Sequence, residues 1–403
     1  MTDEASIAMD DQSAMRAKLP RGAALASYQA ALLALARGDQ ASAHVHVLRG
    51  LEHDPEHGDS HYLLGRLRKS AGDIGGAIAA YSDSARLSPG NPNVLVSLGI
   101  ALKSAGRLED ALMHLRRAVT LQPRSAVAQL NLGNIFYALG QPEEAIAAYA
   151  HALGADPRQP EAHNNLGILL RERGDAARAI AHFDAAIMLN PHYVTALLNR
   201  AEAYVDCFDY ANAAADYRRV LAEDPNLRAA ALGLGAALTE LNELTDAEGV
   251  LRRVLSTGPD DPQALVSLGY VYFKREDLES AERYHRQALR VDPHFAMAHW
   301  HLGSVLWQSG RIEEATAEYD NASAALPDEM ELRMALSTLC LLRQDFNRGW
   351  PLYEARYHRS RRYHVALPDY PYPRWKGESL AGKHVLLVGE QGLGDEIMFA
   401  SII

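Results

Sequence analysis

Residues 126–159 read AVAQLNLGNIFYALGQPEEAIAAYAHALGADPRQ, two helix-like segments hinged at Gly140 and closed by Pro157. The closing proline recurs as Pro55, Pro89, Pro123, Pro157, Pro191, Pro225, Pro259, Pro293 and Pro327, always at the same spacing of thirty-four. A fixed period of that size marks a helical repeat array, so the fold is read from the period before any single residue is interpreted.

Frames of that length, counted from Ala24, bring further columns into register. Place 8 is always small: Ala31, Gly65, Gly99, Gly133, Gly167, Ala201, Gly235, Gly269 and Gly303. Place 20 is alanine throughout, from Ala43 to Ala315, the column expected to let the second helix of a frame approach the first. A larger residue there costs about 1 to 3 kcal/mol through overpacking. Leucine commonly precedes the small column, as in Leu132 and Leu166, and Tyr81, Tyr149, Phe183, Tyr217 and Tyr319 fill a later core column. Between the segments, Gly38, Gly72, Gly106, Gly140, Gly174 and Gly310 supply the positive φ of a helix C-cap. Each proline lacks an N–H and disfavours helix in the residue before it, ending the frame.

These columns resemble the tetratricopeptide repeat (TPR) family. The resemblance covers residues 24–329 as nine repeats and implies a mainly all-α, right-handed superhelical solenoid of antiparallel helix pairs. Phe208, Asn242 and Glu276 replace the turn glycine in three consecutive frames, so those turns are expected to differ in shape. Residues 1–23 read as an acidic mobile leader, and Gly349 and Tyr353 still fall on frame columns, which makes 330–363 a degenerate tenth repeat that caps the array.

The formal net charge of −11, from 40 Lys and Arg against 51 Asp and Glu, argues against duplex nucleic acid as the main partner. One basic run, 356–364, reads as a solvated linker or as a contact for phosphate or an acidic partner. Cys207 and Cys340 belong to different, well-separated frames and are not expected to pair, which fits a reducing, cytoplasmic setting. There is no run of 18 apolar residues and no secretory signal pattern, so no membrane association is expected. His57 and His61 have metal-like spacing, but a frame boundary lies between them and no metal or cofactor is expected.

After the proline-spaced stretch ALPDYPYP, part of a linker over 364–383, the chain changes class. HVLLV at 384–388 reads as a short buried strand, followed by a turn containing Gly389, Glu390, Gln391, Gly392, Gly394 and Asp395 and then by the start of a helix. The turn lacks the Lys-Ser/Thr pair of a phosphate-binding P-loop and the usual order of dinucleotide-binding glycines. With its flanks (Trp350, Tyr353, Glu354, Arg356, Trp375, Gly377, Leu380, Gly382 and Lys383) it is similar to the junction of bacterial proteins that join TPR arrays to a glycosyltransferase domain of the heptosyltransferase-like or O-GlcNAc-transferase-like kind. That similarity implies the first strand, glycine loop and helix start of a two-lobed GT-B domain. Gly392 and Gly394 would then allow close approach of a substrate, whereas Asp395 equally suits a helix first turn with no ligand. Two further lobes of ordinary domain size would be needed, so this chain is expected to recognise rather than transfer, with a nucleotide-sugar as donor for a longer parent. The alternative is a non-catalytic adaptor.

By the family resemblance, place 6 of each frame points into a concave, peptide-binding groove. Asn131, Asn165 and Asn199 occupy it in succession, preceded by Ser97 and followed by Gly233, Ser267 and His301. An asparagine presents both donor and acceptor to an extended peptide whatever its side chains, so the three resemble a short asparagine ladder; they also suit simple solvation or a bond to a neighbouring helix. A carboxylate clamp lacks its cations, since Leu130, Thr195 and Asn199 stand where they would be needed. Trp300, beside His301, either stacks on a peptide or closes the core. An exposed end of the array could support self-association.

Overall fold

The computed structural model describes residues 22–354, all of whose regular elements are helices. They divide into two compact units, which meet in sequence after Glu223. In the first, the leading helices of the pairs are α1 (22–36), α3 (Gly58–Ser70), α5 (Pro92–Ser104), α7 (Ala126–Ala138), α9 (Pro160–Glu172) and α11 (Val194–Asp206). Their partners are α2 (Gln40–His53), α4 (Ile74–Leu87), α6 (Leu108–Leu121), α8 (Pro142–Ala155), α10 (Ala176–Leu189) and α12 (Tyr210–Glu223). The second unit continues with α13 (Arg228–Glu240), α14 (Leu244–Thr257), α15 (Pro262–Lys274), α16 (Leu278–Val291), α17 (Ala296–Gln308), α18 (Ile312–Ala325), α19 (Met330–Leu342) and α20 (Phe346–Tyr353). From α3 onward every leading helix starts on the first place of its frame, so one register governs both units. Helix α1 already includes residues 22 and 23, which the sequence reading assigns to the leader. Met330 opens a tenth pair, as the frame requires, while the basic run, the linker and the strand-turn-helix assigned to 384–403 lie outside the described residues.

Capping explains the sharp starts of the second helices. Asp39, Asp73, Asp175, Asp277 and Asp345 each accept a hydrogen bond from a backbone N–H of the first turn they precede, relieving one orphan donor. The turn before them closes by the paired bonds of a Schellman motif, as in Gly38 N to Leu35 O at 2.9 Å and Asp39 N to Ala34 O at 2.9 Å.

The turns of repeats six to eight do not differ in shape. Phe208, Asn242 and Glu276 sit at φ 60°, 62° and 62°, in the same left-handed region as the turn glycines, and Gln344 joins them at 62°. Their bonds repeat the glycine pattern, with Glu276 N to Phe273 O at 3.0 Å and Asp277 N to Tyr272 O at 3.0 Å. The motif dictates the backbone and the L residue takes the strain.

The core reveals why place 8 is small. A Cβ added to Gly133 would lie 2.6 Å from Tyr149 Cε1, and one added to Gly167 would lie 2.6 Å from Phe183 Cε1. The glycine of the first helix therefore receives the large side chain at place 24 of the same frame. The alanines of place 20 are fully buried as expected, but the tightest approach is glycine against ring. Tyr81, Tyr149, Phe183 and Tyr319 are among the largest fully enclosed side chains, and burial raises the Tyr81 phenol to about 12.

Candidate functional site

In the first unit, α5, α7, α8 and α9 enclose an open concavity of about 330 Å³. Lys103, Asn134, Tyr137, Ala138, Tyr149, Asn165 and Ile168 line it, and all but Tyr149 come from leading helices. Of the residues predicted to line a groove, Asn165 is in the wall of this depression.

Its floor is a relay of amides. The Tyr149 hydroxyl donates to Asn134 Oδ1 at 2.8 Å, and Asn165 Nδ2 donates to the same oxygen at 2.9 Å. Asn164 Nδ2 donates to Asn165 Oδ1 at 3.2 Å, and Asn199 Nδ2 donates to Asn164 Oδ1 at 2.9 Å. Asn164 is 2% exposed, so its partners satisfy a polar group that would otherwise be costly to bury. Burial raises the Tyr149 phenol, keeping it protonated and donating.

The asparagines of place 6 thus differ in role. Asn131 spends an N–H on Val127 O of its own helix at 2.8 Å, whereas Asn165 and Asn199 each spend one on the preceding repeat. An amide has two N–H groups, so among the described residues each asparagine has a second N–H outside these bonds. Ser97 meets the Tyr62 hydroxyl at 3.2 Å, and Ser267 is half-buried on α15 in the second unit. Trp300 and His301 stack at 6.0 Å, with Tyr270 5.2 Å from His301, while Trp300 also packs on the core of the last pairs. Gly389, Gln391, Gly392, Gly394 and Asp395 lie outside the described residues.

What the sequence reading missed is the donor surplus in the depression. Asn134 Oδ1 is saturated by two donors, while among the described residues its NH₂ has no partner and the Lys103 ammonium has no ion pair. Asn134 meets a core tyrosine of its own frame, a pairing repeated where Ser304 meets the Tyr319 hydroxyl at 3.0 Å. Of the lining residues, Tyr137 also donates to Glu172 Oε1 at 3.0 Å.

The histidines serve the frame. Place 4 donates to the carbonyl of the closing proline in His61 to Pro55 at 2.8 Å, His163 to Pro157 at 3.1 Å and His299 to Pro293 at 3.0 Å, with Gln129 doing the same to Pro123 at 3.3 Å. His57 instead caps α3 through Ser60 N. Among the described residues no cluster of three or more His, Cys, Asp or Glu could hold a metal, and no helix is long and apolar enough to cross a membrane. Cys207 and Cys340 are free thiols.

Comparison with known proteins adds the following. A crystal structure of a tetratricopeptide repeat protein from Parabacteroides merdae shares the fold at a TM-score of 0.52 and 19% identity, covering 62% of this chain and 98% of that one. Pseudomonas aeruginosa pilF gives a TM-score of 0.44 at 23% identity, over 51% of this chain and 94% of that one. Protein FlbA of Caulobacter vibrioides is 35% identical over 102 residues, 23% of this chain and 16% of that protein, so the match spans only a small part of the relative's length. Tetratricopeptide repeat matches cover residues 14–92, 96–160, 133–194, 164–226 and 266–330, and another covers 208–267. With matches over well more than half of its length, the chain belongs to the tetratricopeptide repeat family.

Proposed function

We propose that the chain is a polypeptide-recognition module that takes an extended segment across the face of α5, α7 and α9. The observation that carries this reading is the depression whose uncommitted polar groups, the Asn134 NH₂ and the Lys103 ammonium, are all donors. An extended chain offers backbone carbonyls as acceptors, and the remaining N–H groups of Asn131, Asn165 and Asn199 extend the same chemistry along neighbouring repeats. Apolar lining from Ile168, Ala138 and the Tyr149 ring suits one partner side chain.

Photo-crosslinking tests it. A benzoyl-phenylalanine at Tyr137 is expected to capture a defined polypeptide that Ile168→Glu or the Asn131/Asn165/Asn199 triple alanine variant, still helical, no longer holds. Equal capture from Arg117, on the exposed side of α6, would overturn the reading.

A finer reading makes the module the recognition arm of a bacterial, cytoplasmic glycosyltransferase, with proteins as acceptors. It is supported by the similarity of the segment from Trp350 to Asp395 to TPR-transferase junctions, of which Trp350, Tyr353 and Glu354 are described residues. The repeats are equally consistent with a non-catalytic adaptor. Intact mass of the native protein against 44.1 kDa, with nucleotide-sugar transfer assays on that native protein, separates the two.

A further inference from the structure

Place 24 is the column that fills the glycine notch, and in repeat eight it holds His285. The residue is 0% exposed, and neither ring nitrogen has a hydrogen-bond partner. A Cβ added to Gly269 would lie 2.5 Å from its Cε1, so the imidazole sits in the same notch as Phe183 against Gly167. Phenylalanine there would leave no orphaned nitrogen, which makes histidine a poor choice for packing alone.

Among the described residues no hydrogen bond or ion pair is in place to hold a proton on this ring. From α15 the ring meets Gly269, and from α17 it stacks on His301 at 5.6 Å and 15°. Tyr270 of α15 lies beyond His301, its hydroxyl bonded to Glu240 of α13 at 2.9 Å, and Glu240 is itself paired with Lys274 at 3.6 Å. Trp300 closes the other side of His301. Burial opposes protonation of His285, and so does His301 beside it.

We propose that His285 is an acid-sensitive joint of the second unit, where uptake of a proton unpacks α16 from α15 and α17. Burial lowers both imidazoles, His285 well below its ordinary value and His301 to about 4. A base lowered on folding gives stability that is complete above the unfolded value of 6.5 and is lost as pH falls from there towards the folded values. At pH about 5.5 each histidine therefore favours the open state roughly tenfold relative to neutral pH. The inference concerns folding and stands whether or not the depression in the first unit binds polypeptide.

Hydrogen exchange of the full chain between pH 7.5 and 5, corrected for intrinsic rates, tests it. In residues 262–308 the wild type is expected to lose protection by about tenfold or more at pH about 5.5, and His285→Phe is expected to remove at least half of that loss on a logarithmic scale. His114 and His182 are also lowered by burial, so the first unit has its own acid response and the comparison rests on the difference between wild type and variant within 262–308. Identical pH profiles for the two would overturn the proposal. Should His285→Phe not fold, the Cε1 proton of His285 in the native wild type decides: silence down to pH about 5.5 supports the joint, and titration near 6.5 overturns it.

Discussion

Replacing Glu276 by glycine should stabilise the second unit. Glu276 sits at φ 62°, where an L residue brings its Cβ against the following carbonyl at a cost of about 1 to 2 kcal/mol. Glycine removes that cost but loses about 0.5 to 1 kcal/mol of extra chain freedom on folding. From the middle of each range the difference is about 0.75 kcal/mol, roughly a three- to fourfold rise in protection against local opening. Glu276 suits the test because it is exposed and, among the described residues, its side chain makes no hydrogen bond or ion pair, so nothing else is lost. Phe208 does not, since its ring meets Tyr210 at 6.4 Å, and Asn242 is a residue type that tolerates this region. Native-state hydrogen exchange of α15 and α16 is the assay, because a repeat array need not unfold in one step. Glu276→Ala keeps the Cβ and should change little, while Gly174→Ala, at φ 77°, should lose stability in the first unit. If Glu276→Gly leaves protection unchanged or lowers it, the turn is not strained and the argument from φ is wrong.

Other perturbations probe the core and the charges. Gly167→Ala gains up to about 1 kcal/mol of helix propensity but meets the Phe183 ring, so a net loss of about 1 kcal/mol is expected in urea unfolding, recovered in part by adding Phe183→Val, since the first frame joins Ala31 at place 8 with Val47 at place 24. Arg200 donates to both oxygens of Asp216 at 2.7 Å, and Asp216 is only 4% exposed; Arg200→Ala should cost about 3 to 5 kcal/mol, and the Arg200→Ala/Asp216→Leu pair much less. Asp261 caps α15 through Ala264 N, and its hydrogen bond from Arg228 lowers its pKa; Asp261→Asn keeps the cap, so it should cost about 0.2 to 1 kcal/mol at neutral pH. That cost should vanish as pH falls below 3.8 through the lowered folded value, and a cost that persists in acid would mean the charge is not responsible.

The frame was legible because it depends on contacts within one repeat. Helix starts, the closing prolines and the buried alanines follow from local sterics repeated in every frame, and the structure keeps that register through Met330. The turn rule failed where it was too strict, because two backbone bonds can hold Phe208 or Glu276 where glycine is merely cheaper. The break after Glu223 left no mark, since the proline period runs through it unchanged.

The candidate site was harder to read because its bonds run between repeats. Asn131, Asn165 and Asn199 share one place, yet the first bonds its own helix, the second bonds Asn134 and the third bonds Asn164. Which happens depends on whether the preceding repeat offers a side-chain carbonyl oxygen 31 or 35 residues back, and Asn131 has Ile100 and Val96 where Asn165 and Asn199 have Asn134 and Asn164. The ladder reading treated each asparagine as a free rung, but stacking turns two of them into crosslinks, with one N–H of each outside these bonds. Among the described residues the NH₂ of Asn134, a residue outside the predicted column, has no partner, while its oxygen accepts both bonds. A partner bound here would meet the stacking bonds of three repeats at once, so loss of Asn164, which touches no ligand in this scheme, should weaken binding by loosening the floor beneath it.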